Sequence, residues 1–184
     1  LSKLADVTGE TSHVSVLSGT TAYPIASCES PKHSTRAIID IKTFPLHATA
    51  SGLCALAFGP SELAAIACGN LQIFTPTTVK TPDELAFAIQ SVRDTGFGRT
   101  NRSFELEICS ISAPIFDQTG LFAGAVSVAS VATRFTPTLE HCILQNLIVA
   151  SREITHNWGG IVPASIEAVW ATSLSHSHIS EAAS

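Results

Sequence analysis

The spacing of apolar residues changes period several times along this chain, and each change marks an element. Leu1, Leu4 and Ala5 share one helical face, which the sequence TGET from Thr8 to Thr11 breaks. Two β-rich runs follow at 13–17 and 21–28, separated by Ser18-Gly19-Thr20, the spacing of a hairpin. Pro31 interrupts the pattern, and 35–41 reads as a third strand. From 49 to 58 the residues become Ala, Leu and Cys without β-branching, with Thr49 or Ser51 available as N-cap, which predicts a helix. Gly59-Pro60-Ser61-Glu62 stops it and starts a shorter one through Leu63 and Ile66 that runs out at Gly69-Asn70. Thr81, Pro82 and Glu84 then form a capping box ahead of the stripe Leu85, Ala88, Ile89 and Val92, and Gly96 supplies the C-cap. The runs 104–116 and 121–129, joined by Asp117-Gln118-Thr119-Gly120, predict an antiparallel hairpin. Thr136 or Thr138 opens a long helix with Leu139, Ile143, Leu147, Ala150, Ile154 and Trp158 on one stripe, ending at Gly159-Gly160. Pro163 starts a final helix lined by Ile166, Val169, Trp170 and Leu174.

This order describes an α+β fold, an antiparallel sheet of about six strands with helices packed on it, the long helix lying on the face opposite any pocket. Residues 1–160 read as one domain and 161–184 as a C-terminal extension whose short helix must dock to be stable. At 184 residues, 45% hydrophobic, with a mean hydropathy of +0.31, the chain holds enough apolar material for one core. Its apolar runs are far too short for the roughly 20 residues that span a bilayer. The start LSKLADVTGE lacks the features of a secretory signal, so the expected compartment is the cytoplasm, without membrane contact. The absence of methionine suggests that the sequence begins within a longer product.

A net charge of −5 and the lack of any basic run argue against DNA binding by this segment alone. The five cysteines, Cys28, Cys54, Cys68, Cys109 and Cys142, are dispersed among apolar neighbours with no metal-ligand spacing. No metal or other cofactor is expected. His47 has no nucleophile or orienting carboxylate tied to it and reads as structural, so no catalytic residue is assigned and the protein is not expected to be an enzyme. His176-Ser177-His178 reads as a solvated tail.

The run PLHATASG, Pro45 to Gly52, resembles the signature of effector-binding domains of the IclR family of bacterial transcription regulators. TGET, FTPTTVKTPDEL, VRDTGFG, SAPIFDQTG, AVSVASVATRFT and the long helix follow in that family's order, covering residues 1 to about 160. The resemblance implies a GAF-like fold, a small-molecule pocket on one side of the sheet, and a winged helix-turn-helix domain preceding Leu1 through which DNA would be bound. It also implies a homodimer or homotetramer, because paired half-sites suit two-fold proteins.

Carried over by the resemblance, the effector would contact the backbone of Ala50 and Ser51 together with Arg36, Phe44, Thr100, Ile108, Ser110, Ser127 and Ala129. The start of a helix near Thr49 independently offers unpaired N–H groups and a positive dipole end, although an ordinary capped helix has the same sequence. The chain departs from the family pattern at Thr100, where an acid is common, at Glu107, where glycine is usual, and at Leu53 and Cys54 after the signature glycine. Loss of the acid points to an uncharged or anionic effector, a small carboxylic acid or aromatic catabolite, while Arg36 either adds charge to the pocket or lies in solvent. Two other classes remain open: a GAF-like redox enzyme, which needs cysteines together at a pocket mouth, and a ligand-free oligomerisation module, which needs a filled interior behind Ser110 and Ser127.

Overall fold

In the structure, a computed structural model, residues 1–39 and 43–181 are described, the helix after Leu174 by its backbone alone. Five strands form one antiparallel sheet in the order β2-β1-β5-β4-β3, where β1 is Thr11–Ser18, β2 Thr21–Cys28, β3 Gly98–Asn101, β4 Ile108–Phe116 and β5 Phe122–Val131. Pro24 lies on the edge strand β2, where a missing N–H costs the ladder least, and the register shifts nearby at Val14/Ser15. Six helices surround the sheet: α1 (Ser2–Thr8), α2 (Ala50–Phe58), α3 (Glu62–Cys68), α4 (Pro82–Thr95), α5 (Pro137–Asn157) and α6 (Ala164–Glu181).

Capping chemistry places the helices where the sequence puts them. The Thr49 hydroxyl, not that of Ser51, accepts the first-turn N–H of α2 from Gly52 at 3.2 Å. Thr81 accepts from Glu84 N at 3.2 Å, and the Glu84 carboxylate reaches back to Lys80 N at 2.9 Å. Thr136, not Thr138, caps α5. Helix α2 is buried from Ala50 to Ala57, as befits a helix apolar on every side that packs on the sheet and on α4 at once.

Two cores result. Between the sheet and α5, Val14, Ile111, Ile115, Val126 and Val128 meet Ile143, Leu144, Leu147 and Ile148. On the other face α2, α3 and α4 pack together through Leu53, Leu56, Leu63, Leu85 and Ile89. At the junction of α1 and β1 the Glu10 carboxylate, 1% exposed, accepts from Arg134 Nε at 2.7 Å and Nη2 at 2.8 Å, tying the chain start to the end of β5. Two bonds in fork geometry are what a carboxylate that deep requires.

The sheet departs from expectation in three places. Residues 35–39 form no strand, with Arg36 and Ile38 turned to solvent, and Ile41 lies outside the described residues; only an isolated bridge from Ala22 to Phe44 follows. The predicted run 104–116 starts as a strand only at Ile108, and 102–107 is a connection opened by Arg102 in left-handed conformation at φ 59°. Strand β3, which apolar alternation does not reveal, pairs with the far side of β4. The count is therefore five strands rather than about six. The buried side of α5 also runs through Leu144, Ile148, Ser151 and Thr155 beside Ile143 and Leu147, leaving Trp158 47% exposed.

Helix α6 docks on its own chain, against α4 and α5. Trp170 is fully buried, and its indole N–H donates to Gly96 O at 3.0 Å, while the Ser173 hydroxyl donates to Thr95 O at 2.9 Å. These two carbonyls are among those left unpaired at the end of α4, so α6 serves as its C-terminal cap. Gly96 has φ 75°, and a Cβ there would come within 2.5 Å of the Trp170 ring, so only glycine fits the turn beneath it. Arg152 closes the outside, pairing with Glu167 and lying 5.9 Å from the Trp170 ring centroid. Side chains of His176 and His178 lie outside the described residues. Replacing Trp170 with Ala is expected to cost about 3–5 kcal/mol, as for other fully buried large aromatics; urea unfolding measures it, and a loss near zero would mean that α6 does not hold the core.

Candidate functional site

Strands β1, β4 and β5 bury large aliphatic side chains on the α5 face and small or polar ones on the α2 face. Val14, Ile111, Ile115, Val126 and Val128 point one way; His13, Ser110, Ser112, Ser127 and Ala129, in the alternate register, point the other. Small side chains leave space in front of the sheet, and where α2 begins that space is not refilled. A cavity of about 230 Å³ remains there. At roughly 30 Å³ per water molecule it has room for seven or eight waters, or for one small organic molecule.

The sheet wall of the cavity consists of His13 from β1, Ala129 from β5, Ile108 and Ser110 from β4 and Thr100 from β3. Ala48, Thr49, Ala50 and Ser51 at the start of α2 form the opposite wall. Two loops bracket the mouth, one through Ala37, Ile38, Ile39, Thr43 and Phe44 and the other through Phe104 and Glu105. The approach of β3 to α2 is close enough that a Cβ at Gly98 would stand 2.2 Å from Ala50 O, which fixes glycine at that position. With the Thr49 hydroxyl occupied by Gly52, the Ala50 and Ser51 N–H groups have no acceptor among the described residues. They give this wall a positive electrostatic character that an anionic oxygen would complement.

Of the residues singled out in the sequence, Phe44, Ala50, Ser51, Thr100, Ile108, Ser110 and Ala129 come together around this cavity. Ser127 and Arg36 do not. Ser127 sits two pairs further along the hairpin, fully buried, with its Oγ 2.6 Å from that of Ser112. The two serines satisfy one another beneath the cavity floor. Arg36 is exposed and paired with Glu29 on the outer side of its loop, so the alternative of solvent holds for it. His47 is buried, its Nε2 is 2.8 Å from Gln72 O, and its ring lies 5.9 Å from that of Phe74, which makes it part of the support for the α2 entrance.

The sequence reading missed His13 and Glu105. His13 is 4% exposed, packs edge-on against Phe44 with ring centroids 5.8 Å apart, and leaves its Nδ1 enclosed without a partner. Its place in the run Thr11 to Val16, out of phase with Val14 and Val16, was the available signal. Glu105 stands exposed at the mouth and is the only ionised side chain of the lining among the described residues. No cysteine belongs to the lining; the thiol of Cys54, buried between α2 and β4, is pushed up to about 12 by desolvation, and burial also raises Cys109. Neither thiol has the lowered pKa that redox chemistry at a pocket mouth requires.

Comparison with known proteins gives a consistent result. The family model described as bacterial transcriptional regulator IclR C-terminal matches residues 1–156. The chain is 24% identical to the HTH-type transcriptional regulator RhmR of Escherichia coli K12, over 91% of this chain and 65% of that protein. It is 30% identical to the HTH-type regulator BhcR of Paracoccus denitrificans, over 84% of this chain and 56% of that one. It thus spans less than two thirds of the length of either. Its structure is similar to that of an IclR transcriptional regulator from Silicibacter sp. TM1040, with TM-score 0.86, 31% identity and coverage of 90% of this chain and 66% of the other. It is also similar to the C-terminal domain of the E. coli regulator KdgR, with TM-score 0.73, 26% identity and coverage of 85% and 92%.

Burial lowers the His13 pKa from 6.5 to about 4. Between these values the unfolded chain binds a proton that the folded chain refuses, so stability must fall as the pH drops from about 6.5 towards 4. At about 1.4 kcal/mol per unit the loss from this residue is on the order of 3 kcal/mol. Urea unfolding at a series of pH values between 7 and 4 is expected to show a shallower decline in His13→Gln than in the wild type; identical declines would refute the assignment.

Proposed function

Since the chain belongs to the IclR family of bacterial transcriptional regulators and corresponds to its C-terminal domain, we propose that it senses a small organic effector in the cavity between α2 and the sheet. The observation that carries this reading is the combination of two unpaired N–H groups, at Ala50 and Ser51, with an apolar lining from Phe44, Ile108 and Ala129. A few convergent polar groups in an apolar cavity orient a ligand as well as hold it. The α2 amides favour an acid group, and the volume favours a small one, a short-chain carboxylic acid or a simple aromatic acid.

In this reading 1–160 is the sensing domain and 161–184 an extension that steadies it through Trp170. The whole protein binds DNA in the cytoplasm through an N-terminal winged helix-turn-helix domain, working as a homodimer or homotetramer in which effector binding changes the spacing of paired DNA-binding domains. Its relatives are transcriptional regulators, and among the described residues the lining holds no thiol and pairs His13 with no nucleophile or orienting carboxylate, which supports action by binding. No helix of the described residues is long and apolar enough to cross a membrane.

A thermal-shift screen of small aliphatic and aromatic acids, followed by calorimetric titration, tests the reading. A compound that binds is expected to lose about 0.5–1.5 kcal/mol of affinity in Ser110→Ala, or up to about 3 if its partnered group is charged. Ser127→Ala is expected to alter stability but not affinity, because Ser127 reaches only Ser112. Unchanged affinity in Ser110→Ala together with a loss in Ser127→Ala would place the ligand elsewhere.

A further inference from the structure

We propose that His13 is the residue that sets effector specificity, selecting monocarboxylic acids that carry a hydroxyl or oxo oxygen opposite the carboxylate-binding wall. The proposal rests on the reading of the cavity as an effector site and adds the chemical class of ligand. Three observations carry it. His13 lines the cavity from the sheet, while the Ala50 and Ser51 N–H groups line it from α2, so a ligand between them meets both. The imidazole makes no hydrogen bond with any described residue; its Nδ1 is sealed from solvent, so Nε2 is the ring nitrogen through which a ligand in the cavity would bond. A buried polar group left in that condition costs free energy that a bound molecule would recover.

The chemistry of the ring narrows the class. Burial depresses its pKa to about 4, so the ring is neutral at ordinary pH, with one N–H donor and one bare nitrogen acceptor. With Nδ1 sealed, the bond is made at Nε2, which donates to a hydroxyl or carbonyl oxygen in one tautomer and accepts from a hydroxyl in the other. Among the described residues a second carboxylate finds no counter-charge in the lining: Arg36 is paired with Glu29 outside it, and the acidic side chain at the mouth is that of Glu105, which repels it. Phe44 holds the ring by its edge, which fixes the direction in which the nitrogens can bond. A site that hydrogen-bonds one oxygen of its ligand rejects the analogue lacking it far more strongly than an apolar pocket discriminates by size.

The test is calorimetric titration of the chain with matched probes: butyrate, 2-hydroxybutyrate, 2-oxobutyrate, benzoate, the three hydroxybenzoates, and succinate as a dicarboxylate. The proteins are the wild type, His13→Phe, His13→Gln and, as a cavity-filling control, Ser110→Phe, each checked for folding by circular dichroism. We expect the wild type to bind at least one hydroxy or oxo acid roughly five- to a hundredfold more tightly than its parent acid. His13→Phe should bind the two alike, His13→Gln should keep part of the preference, and Ser110→Phe should bind neither. A preference that survives unchanged in His13→Phe, or in His13→Gln should the phenylalanine variant fail to fold, overturns the role of His13 while leaving the cavity as the effector site. Tighter binding of succinate than of every monoacid overturns the ligand class. Failure of the wild type to bind any probe, or binding untouched by Ser110→Phe, overturns the effector site and this proposal together.

Discussion

The structure depends on an inequality between the two faces of its central strands. On β1, β4 and β5 the large buried aliphatics Val14, Ile111, Ile115, Val126 and Val128 pack against α5, while the opposite phase carries mostly small or polar side chains, among them His13, Ser110, Ser112, Ser127 and Ala129. Burying that aliphatic face fixes the register of the three strands, because a one-residue slip would turn every one of these side chains to the other side. With the register set, the opposite face has no bulk of its own to fill. It has to be covered by something that approaches closely, and the all-apolar helix α2 does so, with Gly98 admitting its backbone to β3. Where α2 begins, coverage ends and a cavity opens. The recognition surface is thus a by-product of how the core is divided, and this explains why its polar groups are few and fixed.

Much of this was legible before any coordinates. The capping box at Thr81, the glycine at 96, the hairpin around Asp117 and the period of α5 are local signals, each backed by a hydrogen bond or steric limit that acts within a few residues. The failures lie where the deciding contact is distant in sequence. Gly98-Arg99-Thr100-Asn101 has no alternation to mark it as a strand, and becomes one because β4 offers a free edge. Residues 35–39 have strand-like composition yet stay out of the sheet, and among the described residues the free edge of β2 takes up only the bridge from Ala22 to Phe44. For the site, the resemblance to a known family brought together residues that the period of their own strands could not place. Ser110 and Ser127 look equivalent on the two arms of one hairpin, but the register pairs Ser127 with Ser112 and leaves Ser110 opposite Ala129, so only Ser110 reaches the cavity. Two steps of register separate a residue of the wall from one sealed beneath it.

Charge tells a related story. Thr100 brings no charge to the cavity, Glu105 puts a carboxyl group at its mouth, and Arg36 spends its charge on Glu29 outside it. Among the described residues the interior is left to neutral donors and to peptide dipoles. Such a site binds an anion through oriented N–H groups, whose contribution is set by geometry and by the exclusion of water more than by net charge.

The chain contains two tryptophans, and the fold treats them oppositely. Trp158 is half open to solvent at the end of α5, whereas Trp170 is sealed against Phe97 and the Gly96 carbonyl, at the root of the strand that carries Thr100 to the cavity. An indole in that position is a built-in optical probe. With Trp158 changed to phenylalanine, the emission of the remaining ring would report on the β3 edge alone, and the molecule could be followed through occupancy of its cavity with no label attached.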